Sequence, residues 1–467
     1  MTRRVDVAVI GAGTAANFAL AELRRQEADF VLINSGPVGT TCARVGCMPS
    51  KVAIRIGEDF HTRHALAREG ITGGDGLTLD PDRAMARVRE MRDGFVRKVL
   101  SRSIERLADH EFLDGHAAFQ GPNTLSVGDE TVEAERIIIA TGSTPVVPGP
   151  WRALGGRVHT TDDLFEAARV PRSLAVVGLG AIGLELGQAL ARWGVAVTGV
   201  DQLETVAGLA DPAARDAALA ALREDLPVHL GSAAELSEAG DGLRVRAGDA
   251  TADVEAVLAA MGRRPATDGL HLERLGVTLD ARGLPPFDPE TLQVGDLPVF
   301  IAGDVTGRRQ VLHEAADEGR MAGHNALQAR PQRFRRKTPL NLVFTDPEIA
   351  VVGTPWEQLP ADAAVGTFHM AGAGRAVVMG RTHGVLRVYG DGRDGRLLGA
   401  TLVGAGAEHL GHHMAWAIEQ GLTVFDVVRM PFYHPVVEEA LQNALMDLAG
   451  RVEEPPAGPW ALTRRSV

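Results

Sequence analysis

The only two cysteines of this 467-residue chain, Cys42 and Cys47, stand in Gly39-Thr40-Thr41-Cys42-Ala43-Arg44-Val45-Gly46-Cys47-Met48-Pro49-Ser50-Lys51. A bridge between them would close a ring of about six residues, worth roughly 2 kcal/mol of chain entropy. That is too little to matter to so long a chain, so chemistry is the better reason for the pair. Residues five apart on a regular helix have Cα atoms about 8.6 Å apart, beyond the roughly 7 Å that a disulfide spans. Cys42 is therefore expected in a turn or a distorted first helical turn, with the thiols close and the bond easily opened.

A general base is offered from the far end of the chain, in Pro431-Phe432-Tyr433-His434-Pro435-Val436-Val437-Glu438-Glu439-Ala440. Pro435 reads as a first helical residue and His434 as the cap outside it. Glu439, one turn in, can reach back to the imidazole, raise its pKa and fix its tautomer. A second histidine group, His409, His412 and His413, falls at i, i+3, i+4 of one helix. No carboxylate or cysteine completes it as a ligand set, so it reads as a solvated face and no metal is expected.

The elements that must position these groups announce themselves by glycine spacing. A buried strand, residues 5–10, runs into Gly11-Ala12-Gly13-Thr14-Ala15-Ala16, then a helix over 17–26 and a strand over 30–33. This is the context that makes a glycine motif a dinucleotide fingerprint. Gly11 permits the tight turn, Gly13 lets backbone approach a pyrophosphate, and small Ala16 lets helix pack on strand. Asn34 ends the second strand, where a carboxylate would normally meet a ribose; a neutral acceptor there is roughly half as strong. The pattern repeats at Gly178-Leu179-Gly180-Ala181-Ile182-Gly183, with a helix to about Trp193 and a strand ending at Asp201. First glycine and strand-end residue are 23 positions apart in both copies. Two dinucleotide sites are expected. Asp201 accepts from both ribose hydroxyls of NAD and repels a 2′-phosphate, and no arginine follows in Gln202-Leu203-Glu204-Thr205, so NAD is favoured over NADP.

Other stretches fill the frame. A long helix is expected over 80–110, and strands end at Thr141-Gly142 and at Gly303-Asp304. A helix starts near Gln310, and Met261-Gly262-Arg263-Arg264-Pro265 marks a turn. From about Lys337 the pattern changes to strands and then helices, a separate α+β unit. The net charge of −12 argues against nucleic acid or an anionic membrane as partner. The basic run Arg333 to Lys337 reads as a solvated inter-domain segment. No window is a transmembrane helix, no secretory leader precedes the first strand, and two cysteines suit a reducing compartment. A cytoplasmic protein of three or four domains is expected.

Taken in order, the two fingerprints, Cys-x4-Cys-x-Pro-Ser-Lys, the Ala140-Thr141-Gly142 and Gly303-Asp304 strand ends and His434-Pro435-x-x-x-Glu439 resemble the flavoprotein disulfide reductases. Within that family of pyridine nucleotide-disulfide oxidoreductases, Pro49-Ser50-Lys51 is most similar to the dihydrolipoamide dehydrogenases, and the match covers nearly the whole chain. The resemblance implies an α/β fold with two Rossmann-like domains and a C-terminal α+β dimerisation domain. Its parts would be an FAD domain (1–145), an inserted NAD domain (146–265), a central domain completing the FAD site (266–336) and the dimerisation domain (337–467).

It also implies roles. FAD would lie on Gly11, Gly13, Ala16 and Asn34, on Thr40, Thr41 and Lys51, and on Ala117, Thr141 and Gly142. Asp304 would hold the ribityl chain, beside the backbone of Gln310, Val311, Leu312 and His313. Lys51 and Glu185 would pair beside the flavin ring, and NAD would follow Gly178, Gly180, Gly183, Asp201 and Gly262. His434, with Glu439, would serve the active site of the partner subunit in a homodimer. The implied reaction moves two electrons between a lipoyl dithiol, free or on a carrier protein, and NAD through Cys42 and Cys47.

Three departures from the family pattern bear on the electron partner rather than on the chemistry. They are Asn34, Ala43-Arg44 between the cysteines, and Phe432-Tyr433 before and Val436-Val437 after His434-Pro435. They favour a lipoyl carrier unlike that of the usual 2-oxoacid complexes. Competing readings are a reductase of a low-molecular-weight disulfide, against which Asp201 argues, and a flavin-dependent redox sensor, which needs no His434–Glu439 base. Mercuric reductase would want a second cysteine pair near the C-terminus.

Overall fold

Residues 7–10, 30–33, 137–139 and 299–301 are apolar without alternation and buried, the pattern of strands covered on both faces. In the computed structural model, which describes residues 2–463, they lie in one sheet. Met1 of the N-terminal run and residues 464–467 of the C-terminal region lie outside the described residues. The parallel part runs Phe112–Asp114, Phe30–Asn34, Thr2–Ile10, Glu130–Ile139 and Val299–Ile301. Glu130–Ile139 also pairs antiparallel with Thr124–Val127, which pairs with Ala117–Gly121.

The first fingerprint opens the helix Thr14–Arg25, which lies against the helix Leu312–Ala326. Small residues set that approach. A Cβ on Gly319 would stand 2.1 Å from the Ala15 carbonyl oxygen, and one on Gly323 2.7 Å from that of Ala19. Residues far apart in sequence are thereby brought to one end of the sheet.

A second, all-parallel sheet is ordered Val228–His229, Ala196–Val200, Ser173–Val177, Ala256–Ala259, Val158–His159. An antiparallel meander, Glu235–Ala239, Gly242–Ala247 and Ala250–Val254, shares a core with it through Leu243, Val245 and Val254. The chain enters and leaves this unit through Ser143–Pro145 and Arg263–Pro265, paired antiparallel. The third sheet is antiparallel, ordered Leu340–Val343, Ile349–Gly353, Leu397–Val403, Val385–Gly390, Ala364–His369. Helices Ala407–Glu419 and Glu438–Ala449 pack on it.

Two sequence expectations change. The helix expected over 80–110 runs only Pro81–Leu100, capped by Asp80. The Ser101 and Ser103 hydroxyls then donate back to the Lys98 and Val99 carbonyls, competing with continuation. The last helix begins at Glu438, not Pro435; His434-Pro435 is a cis peptide in the turn before it. The basic run is neutralised within the fold. Arg333 meets Asp288 and Glu290, Arg335 meets Glu419, Arg336 meets Glu314 and Glu318, and Lys337 meets Asp317.

Candidate active site

The two cysteines sit on either side of a helix break. Thr41–Arg44 forms one helical turn, with the Thr40 hydroxyl accepting from the Ala43 amide at 3.3 Å. The helix Cys47–His61 then starts at the second cysteine. A Cβ on Gly46 would stand 3.1 Å from the Thr41 carbonyl oxygen, so glycine permits the tight reversal. Both thiols are free; Cys42 is half-buried, and Cys47 is exposed to a cavity of about 560 Å³. The pair is polarised. The Cys42 thiol donates to Cys47, and that hydrogen bond, helped by the Lys51 ammonium, brings the Cys47 pKa down to about 7 against the opposing effect of burial. The same hydrogen bond, then burial, pushes Cys42 far up. Placement of Cys47 at the first position of a helix favours its anion further.

Lys51 Nζ meets Glu185 Oε2 at 2.6 Å, and it lies 4.4 Å from the centre of the Phe344 ring. Glu185 Oε1 accepts from the Phe344 amide at 3.0 Å. This buried carboxylate therefore ties the helix Cys47–His61, the helix Ala181–Arg192 and the C-terminal sheet together at one wall of the cavity. Glu185 is buried while Lys51 is half-buried, and losing the ammonium would leave the carboxylate uncompensated, so the pair holds Lys51 beside Cys47.

The two fingerprints are built alike. Gly11 and Gly178 have φ of +98° and +96°, and a Cβ on either would stand 2.5 or 2.4 Å from the carbonyl oxygen of Ala140 or Ala260. Gly180 faces open space, and Gly13 nearly so, its nearest neighbour being the Ala140 oxygen at 3.9 Å; their backbone is free for close approach by a diphosphate. Asn34 Oδ1 accepts from the Ala12 amide at 3.0 Å, as Asp201 Oδ2 accepts from that of Leu179 at 2.6 Å. Asparagine thus keeps the loop-bracing bond of the usual acid, and its Nδ2 donates to the Gly36 carbonyl. Ala16 is fully buried. Gly183 packs so closely that a Cβ would stand 1.9 Å from the Gly178 carbonyl oxygen.

Asp304 lines the cavity with Gln310, Val311, Leu312 and His313. Ser143 Oγ donates to Asp304 Oδ2 at 2.9 Å, and Arg263 Nε donates to Ser143 Oγ at 2.8 Å. Burial holds the Asp304 carboxyl above its ordinary pKa, against that Ser143 bond. The Thr141 hydroxyl oxygen is buried without a partner, and Thr141 itself does not line the cavity, which is bounded here by Ala140 and Gly142. The open glycines and the Asp304 carboxylate fit a dinucleotide with a polyol chain, as FAD is. Thr41, Lys51 and Gly142 also line the cavity. Ala117 does not; it is a buried core residue, two positions past Gly115, whose amide donates to the Asn34 carbonyl. Gly262 has φ of +96° and open space where its Cβ would be.

His434 and Glu439 find each other, with Nδ1 2.8 Å from Oε1, and the Val436 amide donates to Oε2 at 3.1 Å. The histidine bond, then the amide, holds Glu439 below its ordinary pKa. This pair is not at the cavity of its own chain; His434 is 79% exposed, with Tyr433 and Met430 exposed beside it. Arg263, Ser143 and Phe344 were not evident as site residues. Only the pairing of distant strands and helices brings them in, although Arg263 lay beside the turn glycine that the sequence marks.

Among the described residues no helix is long and apolar enough to cross a membrane, and no group of three or more metal-ligating side chains is found. The family model "Pyridine nucleotide-disulphide oxidoreductase" matches residues 5–319, and that family's dimerisation domain matches 340–445. A dihydrolipoyl dehydrogenase of Halobacterium salinarum is 33% identical over 461 residues, covering 94% of this chain and 95% of that one. One of Thermus scotoductus is 32% identical, covering 94% and 96%. Among solved structures, the Cu(II) complex of the HOCl-induced flavoprotein disulfide reductase RclA from Escherichia coli superposes with a TM-score of 0.83. It is 26% identical, covering 95% of this chain and 99% of that one. A polarised cysteine pair beside two fingerprints, matched along nearly the full length, means that the chain belongs to the pyridine nucleotide-disulphide oxidoreductases, which use FAD and a pyridine nucleotide.

Proposed function

We propose that this protein oxidises a lipoyl-type dithiol with NAD+, as a homodimer whose two active sites each draw on both chains. The observation that carries the reading is the placement of Cys42 and Cys47 at one cavity with Lys51, Cys47 at a helix start, in a chain similar along its length to dihydrolipoyl dehydrogenases. With the pair oxidised, His434 of the partner subunit takes a proton from one substrate thiol at Nε2, Nδ1 being held by Glu439. The substrate thiolate attacks Cys42 Sγ, the Cys42–Cys47 bond breaks, and Cys47 leaves as a thiolate stabilised by Lys51. The second substrate thiol then displaces Cys42 Sγ, closing the product disulfide and giving its proton to Cys42, while the first proton stays on the imidazolium until it is released. The cysteine pair is left as the structure has it. Bound FAD supplies the two-electron relay to the nicotinamide. Overall a dithiol and NAD+ become a disulfide, NADH and one proton.

Asp201, with no arginine after it, supports NAD over NADP. The relatives named dihydrolipoyl dehydrogenase support the dithiol, and the residues flanking His434 favour a carrier other than those of the common 2-oxoacid complexes. A cytoplasmic setting suits the two-cysteine content. Side-by-side assays with dihydrolipoamide and NAD+, glutathione disulfide and NADH, and mercuric ion test the proposal. Turnover is expected with the first. Turnover confined to glutathione disulfide would transfer the site to a small-disulfide reductase, and a Cys42→Ser variant oxidising dithiols at the parental rate would end the proposal.

A further inference from the structure

The C-terminal unit contributes four residues to the cavity, Leu340, Leu342, Phe344 and His412. Three are apolar, so His412 is the polar side chain of that wall. Its place is set by packing. Gly411 leaves room for the helix Ala407–Glu419 to close on the strand Leu340–Val343, where a Cβ would stand 3.3 Å from Leu340 and 3.6 Å from Leu342 side-chain carbons. The helix Ala181–Arg192 of the second fingerprint touches the same strand and contributes Ile182 and Glu185 to the cavity. The wall bearing His412 is thus continuous with the second dinucleotide site. The polar groups nearest that junction are already committed, Lys51 and the Phe344 amide both to Glu185.

The tautomer of His412 follows from its partner. Nδ1 lies 2.6 Å from the Glu408 carbonyl oxygen, which can only accept, so Nδ1 carries the proton. In the neutral ring Nε2 is then an acceptor. Glu408 is itself held, its amide donating to Glu348 Oε2 at 2.9 Å, so the helix end that orients the ring is braced. Trp416, one turn on, lies against the ring at 6.2 Å between centroids.

We propose that His412 Nε2 accepts a hydrogen bond from the nicotinamide carboxamide of the dinucleotide seated on the second fingerprint, and so helps to seat that ring in the cavity. An apolar wall with one acceptor suits a flat ring carrying one N–H donor group. The inference rests on the second fingerprint binding NAD, and binding of ADP-ribose, which lacks the nicotinamide, tests that premise by itself.

The test is calorimetric binding to the FAD-loaded dimer of NAD+, of its 3-acetylpyridine analogue, whose ketone cannot donate, and of ADP-ribose. Wild-type protein is expected to hold NAD+ about tenfold more tightly than the analogue, the size of one hydrogen bond. In His412→Ala the preference should vanish, and in His412→Gln, whose amide oxygen can accept, it should return in part. ADP-ribose should bind all three proteins alike. Wild-type protein that binds NAD+ and the analogue equally overturns the proposal without any variant. So does a His412→Ala protein that keeps the preference, that loses ADP-ribose affinity in step with NAD+, or that changes only the KM for dithiol.

Discussion

A thiol's usefulness in exchange depends on which protonation state it holds near neutrality, and here the two cysteines are driven apart by each other. The Cys42 hydrogen bond and the Lys51 ammonium bring Cys47 to about 7, so its anion forms as pH rises through that value. In the reduced protein, alkylation of Cys47 by iodoacetamide should accelerate with a midpoint of about 7. Cys42→Ala removes the main cause and should move that midpoint up toward the ordinary thiol value of about 8.5; Lys51→Gln should move it in the same direction by less. A midpoint unchanged by Cys42→Ala would mean that the helix end, not the partner thiol, holds the charge. Asn34 shows the opposite kind of residue. Its side chain is spent on Ala12 and Gly36, so a missing carboxylate leaves the turn intact while changing what it offers a ribose.

Elements are positioned chiefly by what is absent from them. The helix of the first fingerprint and the helix Leu312–Ala326 approach until Gly319 meets Ala15 backbone and Gly323 meets Ala19. That contact carries the cavity-lining residues Thr14 and Ala15 on one side and Leu312, His313 and Ala315 on the other. Gly319→Ala inserts a methyl against a carbonyl that cannot move away, at a cost of about 1–3 kcal/mol. Thermal unfolding should come several degrees earlier and bound flavin should be released more readily, read from the melting curve and from free flavin fluorescence. Retention of both at parental values would show that the helices can slide apart without disturbing the site.

At the scale of the whole molecule, His434 and Glu439 form a complete acid–base pair in the wrong place for their own chain. On the proposed site shared between two chains they belong to the partner's cavity, in keeping with the matched dimerisation domain, and hybrid dimers supply the check. Cys42→Ser and His434→Gln proteins should each be inactive as homodimers. Dissociated and re-associated together, they should regain about one quarter of parental activity, since half of random dimers are hybrids and each hybrid has one intact composite site. No recovery would place both groups of one site on a single chain.

Both dinucleotide turns, the cysteine couple and the His434–Glu439 pair were legible in the sequence because each depends on residues within a few turns of chain, where spacing dictates geometry. The same holds for most strands, whose unbroken apolar runs can only be buried. Residue spacing alone could not show contacts across more than a hundred residues, and of these only the Lys51–Glu185 pair was expected, through the family resemblance. The Arg263–Ser143–Asp304 chain, the Glu185 bond to the Phe344 amide and the seat of His412 at the cavity exist only because separate sheets and helices meet. The end of one helix at Leu100 and the start of the last at Glu438 were instead decided locally, by the Ser101 and Ser103 back-bonds and by the turn that holds the cis His434-Pro435 bond. Short-range chemistry was written in residue order; which groups share one cavity was decided by packing.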